Sequence, residues 1–259
     1  MQKVKRISKK IGKAIGVILV VLLILAVGFK IYSNGFYRAD LDAIAEIEQS
    51  VSENVQTFKG KDVLVFAPLN ENPKAIIVFY PGGKVEYTAY SGLMYELAYR
   101  GYTCVLPRMP ENLAFLRIET IDDIKSEYPF EVEKFQDVDW YLAGHSLGGV
   151  AATSYLASQP EGMYKGIILC ASYTTSDFSS SNLRLLSLFA SEDGVINTAS
   201  YEDSKKMWPA DSKEYVIEGG IHSYFGNYGI QKGDGTPSIT NIEQINEAAD
   251  VIAEFISCS

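Results

Sequence analysis

The sequence predicts an α/β fold in which a mostly parallel central sheet is flanked by helices. From Asp62 onward, short apolar runs alternate with longer amphipathic ones, and the short runs are continuously apolar. Continuously apolar strands separated by helices are typical of a parallel sheet that is covered on both faces. The length of 259 residues is also compatible with one α/β domain.

Each element is predicted from its own apolar pattern. Strands are expected at Val63–Phe66, Ala75–Tyr80, Thr103–Leu106, Trp140–Ala143, Ile167–Ala171, Leu185–Ala190 and Glu214–Ile217. Helices are expected at Thr88–Arg100, Leu113–Glu127, Leu147–Ser158, Thr198–Met207 and Ile242–Ile256. In such a sheet, the active site gathers at the carboxyl ends of the strands.

The first 30 residues surround an apolar segment with positive charge. They contain seven Lys or Arg and no acidic residue, and Ala14–Phe29 is sixteen residues long without a charge. With its apolar flanks, this segment approaches the ~20 residues that are needed to cross a bilayer. We therefore expect a basic start and transmembrane anchor over residues 1–32, and a membrane as one partner of the chain.

A linker is expected between this anchor and the main domain. Within residues 33–60, apolar side chains recur at spacings of three and four, which predicts a stalk helix. These side chains are Leu41, Ile44, Ile47 and Val51. The remaining residues, 61–259, form the predicted α/β domain.

The distribution of charge predicts the orientation in the membrane. Because a cluster of Lys and Arg precedes the apolar segment and only Lys30 and Arg38 follow soon after it, the N terminus is expected to stay cytoplasmic and the domain to be extracytoplasmic at the cell membrane. A cleaved signal peptide is the alternative interpretation, with Ala26-Val27-Gly28 as a weak cleavage site.

The composition argues against several classes of protein. Apolar residues make up 47% of the chain, which argues against a disordered protein. Beyond residue 30, the chain has 16 basic and 32 acidic residues. A domain this acidic repels the phosphate backbone, so nucleic acid is not expected as a partner. Three cysteines without CxxC spacing, two histidines and no dinucleotide fingerprint predict neither a disulfide framework nor a metal or organic cofactor.

The strand at Trp140–Ala143 runs directly into Gly144-His145-Ser146-Leu147-Gly148-Gly149, and a predicted helix follows. This is G-x-S-x-G between a strand and a helix, the pattern of a nucleophile elbow. The glycines allow a strained turn in which the strand and the helix pack closely. Ser146 is therefore the candidate nucleophile.

A serine nucleophile requires a base, and the base requires a group that orients it. Of the two histidines, His145 lies beside the serine in the turn, so His222 in a glycine-rich loop after the last strand is the candidate base. The orienting acid should lie between serine and histidine in the chain, after a strand. Asp193 fits this position, and Glu192 and Asp177 are the alternatives.

A tetrahedral intermediate needs two backbone N–H donors that form an oxyanion hole. Leu147, the residue after the nucleophile, should supply one of them. The other should come from the loop Pro81-Gly82-Gly83-Lys84, which follows the strand at Ala75–Tyr80. Gly83 and Gly82 are both candidates for this second donor.

Five stretches together resemble the bacterial alpha/beta hydrolase family that is grouped as Abhydrolase_5. They are VFYPGGKV at 78–85, PENLAF at 110–115, GHSLGG at 144–149, LFASEDGV at 188–195 and EGGIHSYFGNYGIQKGDG at 218–235. The resemblance extends over nearly all of residues 62–257. It implies the α/β-hydrolase fold and carries the family's serine, acid and base onto Ser146, Asp193 and His222. Dienelactone hydrolases are more distant relatives and generally have cysteine where this chain has Ser146.

The expected activity is that of a serine esterase, a carboxylic ester hydrolase that acts through a Ser-His-Asp catalytic triad and an acyl-enzyme. Only about thirteen residues, Ser172 to Arg184, join the two strands between which many hydrolases insert a lid. No large lid is expected, and an open site favours a small or surface-presented ester-like substrate. The alternatives are a serine acyltransferase or peptidase with the same triad, and a non-catalytic cell-surface binding protein on the same fold.

Overall fold

The computed structural model describes residues 2–69, 71–128 and 137–258. The chain divides into two compact units, Met1–Phe36 and Tyr37–Ser259. The first unit contains helix α1, Gln2–Asn34. Its segment Ile15–Asn34 has a mean hydropathy of 2.7 and is long and apolar enough to cross a membrane. A candidate membrane span is therefore present where the charge pattern predicts one.

The second unit is built on an eight-stranded sheet with the order β1-β2-β4-β3-β5-β6-β7-β8. Its strands are β1 Val55–Lys59, β2 Val63–Pro68, β3 Ile76–Tyr80, β4 Thr103–Pro107, β5 Trp140–His145, β6 Gly166–Cys170, β7 Arg184–Ala190 and β8 Asp211–Ile217. Strand β2 pairs antiparallel with β1 and β4, whereas the pairs from β4 to β8 are parallel. The predicted mostly parallel sheet is confirmed.

Helices cover both faces of this sheet. They are α2 Leu41–Val51, α3 Ser91–Tyr99, α4 Thr120–Glu127, α5 Leu147–Leu156, α6 Thr198–Ser204 and α7 Asn241–Ser257. Short 3₁₀ helices lie at Tyr87–Tyr90, Pro110–Asn112, Ala114–Leu116, Lys205–Met207 and His222–Phe225. The fold is thus a three-layer α/β arrangement.

Two apolar cores explain why the strands are continuously apolar. Alternate side chains of β3 enter opposite cores: Ile77 and Phe79 pack with α2, α3 and α7, and Val78 packs with α4 and α5. Because both faces are covered, no position of β3 is exposed to solvent. This double burial removes the apolar and polar alternation of a half-exposed strand.

Two elements differ most from the sequence prediction. Strand β1 was not predicted, because Val55 is its one buried residue and its pattern therefore lacks an apolar signal. The predicted helix Leu113–Glu127 is divided into Ala114–Leu116 and Thr120–Glu127, since Arg117 has an extended φ of −159°. The first of these pieces lies against α5, which begins at the residue after Ser146.

The connection from β6 to β7 consists of residues 171–183 and contains no helix. Its backbone is made of bends, turns and irregular segments. The prediction that no large lid is inserted here is confirmed.

Candidate active site

Ser146 lies in a strained turn between β5 and α5. It has φ 51° and ψ −126°, a region that non-glycine residues rarely occupy. The strain is tolerated because the two flanking elements pack tightly: a Cβ atom added to Gly144 would lie 2.6 Å from the backbone nitrogen of Gly149. Such outliers persist where the surrounding structure fixes them, and they concentrate at functional sites.

The backbone of Ser146 is held on both sides by the neighbouring strand and its loop. Its N–H donates to the carbonyl of Cys170 at 3.0 Å. Its carbonyl accepts a hydrogen bond from the hydroxyl of Ser172 at 2.6 Å. Ser172, which the sequence analysis did not single out, therefore helps to fix the strained turn.

His222 and Asp193 form a buried pair at the ends of β8 and β7. The Nδ1 atom of His222 lies 2.7 Å from Oδ2 of Asp193, and their side chains are 1% and 0% exposed. The other carboxylate oxygen of Asp193 accepts the backbone N–H groups of Val195 and Ile196, at 2.8 and 2.9 Å. These bonds leave Oδ2 directed at the imidazole.

The two alternative acids lie elsewhere. Glu192 is exposed, and its carboxylate accepts the hydroxyl of Ser191 at 3.4 Å. Asp177 is exposed and accepts the backbone N–H of Ser179 at 2.9 Å. Of the three acids considered from the sequence, Asp193 is the one that contacts His222.

The second nitrogen of the His222 ring, Nε2, is in a different situation from Nδ1. Nε2 is buried and has no partner among the described residues, so Ser146 and His222 are not hydrogen-bonded in this structure. The two are nevertheless neighbours, since the ring of His145, which precedes Ser146, lies 4.6 Å from the ring of His222. Catalytic hydrogen bonds are often long or misaligned before substrate binds.

The two glycines of the loop after β3 differ in what their N–H groups do. The N–H of Gly82 donates to the hydroxyl of Tyr90 at 3.0 Å. The N–H of Gly83 has no acceptor in the described part of the chain. Gly83 also lies against the side chain of Leu147, because a Cβ added there would be 2.8 Å from its Cδ2.

The N–H of Leu147 is the first of α5, so it has no acceptor within the helix. It lies at the positive end of the helix dipole, next to Ser146. Leu147 and Gly83 therefore lie on two neighbouring backbone segments, and their N–H groups have no acceptor among the described residues.

Comparison with known proteins agrees with this architecture. The model of the alpha/beta hydrolase family, Abhydrolase_5, matches residues 76–246, which include β3, the turn at Ser146 and the His222–Asp193 pair. The chain belongs to the alpha/beta hydrolase family. The resemblance drawn from the five sequence stretches is confirmed.

A solved structure shows the same fold at low sequence similarity. The crystal structure of TT1662 from Thermus thermophilus matches with 17% identity and a TM-score of 0.53, covering 79% of this chain and 97% of that one. No curated protein matches the sequence significantly. The family membership indicates hydrolase activity, and the α/β-hydrolase fold is shown by both the family model and this structure.

In this α/β hydrolase, two buried residues join the glycine loop to the histidine loop. The hydroxyl of Tyr90 lies 2.9 Å from Nδ1 of His145, and Nε2 of His145 lies 3.1 Å from the backbone carbonyl of His222. Since a carbonyl can only accept, Nε2 of His145 carries the proton and Nδ1 accepts from Tyr90. A directed chain of hydrogen bonds therefore runs from the N–H of Gly82 to the carbonyl of His222.

Burial keeps His145 neutral within this chain. Desolvation lowers the pKa of His145 well below its usual value, and the neighbouring His222 lowers it further. From the sequence, His145 enters only as a histidine set aside as the base, and no motif singles out Tyr90. Nothing in their spacing along the chain indicates that they meet, because 55 residues separate them.

Replacing Tyr90 by phenylalanine is expected to lower the free energy of unfolding by roughly 1–3 kcal/mol. The change leaves the N–H of Gly82 and Nδ1 of His145 buried without their present partner. Urea denaturation of the full-length protein measures the difference. Tyr99→Phe is the control, because Tyr99 is 53% exposed. Equal stability of the two variants would contradict the role of the Tyr90 hydroxyl.

No group of three or more His, Cys, Asp or Glu side chains within the described residues is placed to hold a metal ion.

Proposed function

We propose that this chain is a serine hydrolase that cleaves an ester-like bond, with Ser146 as nucleophile, His222 as base and Asp193 as the acid that orients the base. The observation that carries the proposal is the buried 2.7 Å contact between His222 and Asp193, on the loops beside the strained Ser146 turn. A structural histidine would not require a buried carboxylate at Nδ1 together with an unpartnered Nε2.

The proposed reaction is acyl transfer to water. Nε2 of His222 takes the proton of the Ser146 hydroxyl as its oxygen attacks the substrate carbonyl. The imidazolium then protonates the leaving alcohol, and an acyl-enzyme remains. A water molecule, deprotonated by the same imidazole, hydrolyses that ester and returns Ser146 to its hydroxyl form. Asp193 holds the proton-bearing Nδ1 toward itself throughout, so that Nε2 stays available.

The proposed oxyanion hole consists of the N–H groups of Leu147 and Gly83. Both N–H groups lack acceptors among the described residues. The side chain of Leu147 lies against Gly83, so the two residues are neighbours. Gly82 is assigned a supporting role, because its N–H is occupied by Tyr90. Preorganised donors of this kind stabilise the charge that develops on the carbonyl oxygen.

An apolar rim borders the proposed site, formed by Phe115, Leu116 and Leu147, which are 46%, 50% and 40% exposed. The short helix that carries Phe115 and Leu116 contacts α5. The segment just before this helix is tied to the glycine loop, because the N–H of Lys84 donates to the carbonyl of Asn112 at 2.8 Å. We propose that this rim contacts the acyl group, and that short apolar acyl esters are the preferred class of substrate.

Phe115→Ala is expected to raise KM for a p-nitrophenyl butyrate substrate about 5- to 10-fold while kcat changes little, because the ring contributes apolar contact rather than chemistry. Steady-state kinetics of the full-length protein measure both constants. Phe58→Ala is the control, since Phe58 is similarly exposed, at 52%, and lies on β1. A KM that is unchanged by Phe115→Ala, or a preference for long acyl chains, would contradict the proposal.

We further propose that the Ile15–Asn34 segment anchors the hydrolase in the cell membrane, with the N terminus cytoplasmic and the catalytic domain extracytoplasmic. The support is the apolar length of this segment and the cluster of positive charge before it. N-terminal sequencing of the mature protein tests the anchor against a cleaved signal peptide. A mature protein that begins near Phe29 would refute the anchor.

A further inference from the structure

The loop that follows the histidine carries a second carboxylate, Asp234, which is half-buried. It lies between the backbone of His222 and the turn that carries Asp193. Its Oδ1 accepts the backbone N–H of His222 at 3.0 Å and that of Gly194 at 3.4 Å. The first N–H belongs to the proposed base. The second belongs to the residue directly after Asp193.

The other oxygen of Asp234 binds the residue after the histidine. Oδ2 accepts the backbone N–H of Ser223 at 2.8 Å and its hydroxyl at 2.7 Å. His222 and Ser223 begin the short helix His222–Phe225. Asp234 therefore satisfies the first two N–H groups of the helix on which the base is mounted, groups that have no acceptor within the helix itself.

Close backbone packing places Asp234 at this junction. A Cβ added to Gly194 would lie 2.4 Å from the carbonyl oxygen of Gly233, and a Cβ added to Gly235 would collide with the carbonyl oxygen of Glu192. Residues 233–235 thus lie directly on the turn that carries Asp193. Glycine at 194 and 235 permits an approach that a side chain at either position would prevent.

From these contacts we infer that Asp234 is a positioning residue, which fixes the Asp193 turn and the His222 helix relative to each other and so maintains the alignment of the triad. Among the described residues, no hydrogen bond joins the carboxylate of Asp234 to the imidazole of His222. It acts through the backbone on both sides of the 2.7 Å bond between His222 and Asp193. The inference rests on the proposed function, because the effect on catalysis requires that His222 be the base.

Asp234→Asn tests this role with little change in shape. An amide places an NH₂ group at one of the two oxygen positions. At Oδ1 it would face the N–H groups of His222 and Gly194, and at Oδ2 that of Ser223. Either orientation sets donor against donor, so at least one loop must shift.

The expected result is a fall in kcat of about 10- to 100-fold at nearly constant KM, because a small misalignment of catalytic groups costs roughly that factor. The rate is expressed per active site, counted by the burst of p-nitrophenol from p-nitrophenyl acetate. This separates misalignment from partial unfolding: a variant that had merely lost folded protein would show fewer active sites with normal kcat each.

Asp40→Asn is the matched control. Asp40 is an exposed carboxylate that also caps a helix, accepting the N–H of Ala43 at the start of α2 at 3.1 Å. Asparagine serves at that position almost as well as aspartate. This variant should keep the kcat, the KM and the burst amplitude of the parent protein.

A second measurement does not depend on turnover. The Nδ1 proton shared between His222 and Asp193 should give a far-downfield proton NMR signal in the full-length protein in detergent micelles. Because the chain has only two histidines, ¹⁵N-histidine labelling assigns this signal. Asp234→Asn is expected to broaden or remove it, and Asp40→Asn to leave it unchanged.

The two measurements distinguish failure of this inference from failure of the proposed function. An unchanged downfield signal and an unchanged kcat per site in Asp234→Asn would overturn the positioning role. If the parent protein shows no turnover, the proposed function fails, while the NMR comparison still decides whether Asp234 aligns the pair.

Discussion

Replacing Ser146 by alanine is expected to lower kcat for p-nitrophenyl acetate by about 10⁶-fold and to abolish labelling by a fluorophosphonate. Losses of this size follow when the nucleophile of a serine triad is removed, because the remaining groups can stabilise an intermediate but cannot form the acyl-enzyme. The substitution removes one oxygen at a strained position and introduces no larger side chain. The folded state should therefore be preserved.

Ser154→Ala is the matched control for this experiment. Ser154 lies on α5, eight residues after the proposed nucleophile, and its hydroxyl donates to the carbonyl of Val150 at 2.9 Å. It should retain full labelling and turnover. Persistent labelling of Ser146→Ala would show that another serine is the nucleophile. If the parent protein is neither labelled nor active, a non-catalytic role on the hydrolase fold would be favoured.

Asp193→Asn is expected to lower kcat by about 10⁴-fold with a smaller change in KM. An amide in place of the carboxylate cannot stabilise the imidazolium that forms during the reaction, and it can hold the ring in the wrong tautomer. Oδ1 of Asp193 also accepts two backbone N–H groups. An asparagine side chain keeps these two hydrogen bonds only if its oxygen takes the place of Oδ1, and its NH₂ group then faces Nδ1 of His222. The proton on Nδ1 would then have to move to Nε2, where it blocks the base.

Glu192→Gln is the matched control, because it also replaces a carboxylate by an amide, one residue earlier in the chain. Glu192 is exposed and does not contact His222. Its replacement is expected to leave kcat within about twofold of the parent value, because substitutions of exposed residues that make no buried contacts have small effects. If Glu192→Gln proved the more damaging of the two, the assignment of the acid would be wrong. Pre-steady-state measurement of acylation locates the affected step.

The elbow was predictable from the sequence because its geometry is local. Gly144, Ser146 and Gly148 lie at the junction of an apolar strand and a helix, and each is needed where the backbone turns sharply. The chain order of serine, acid and histidine then limited the candidates for the acid to Asp193, Glu192 and Asp177. Residue types and their order in the chain were therefore enough to predict the serine turn and these three candidate acids.

The choice among those candidates required coordinates. Asp193 and Glu192 are adjacent in the chain, and only the direction of each side chain distinguishes a buried carboxylate 2.7 Å from His222 from an exposed one. In the same way, both glycines of the loop after β3 suit a close approach to substrate. The hydroxyl of Tyr90 occupies the N–H of Gly82 and leaves Gly83 as the candidate donor.

By itself, the sequence determined the α/β class, the family and the position of the serine turn, because apolar periodicity and glycine spacing act between near neighbours in the chain. Only the tertiary structure brought Tyr90 and Asp234 to the site and placed the ring of His145 against the loop of His222. Each of them contacts groups far from it in the chain, as His145 does with the carbonyl of His222 77 residues away. A hydrogen bond between residues that far apart in the chain depends on how the strands are ordered in the sheet. The residue pattern around either partner does not predict that order.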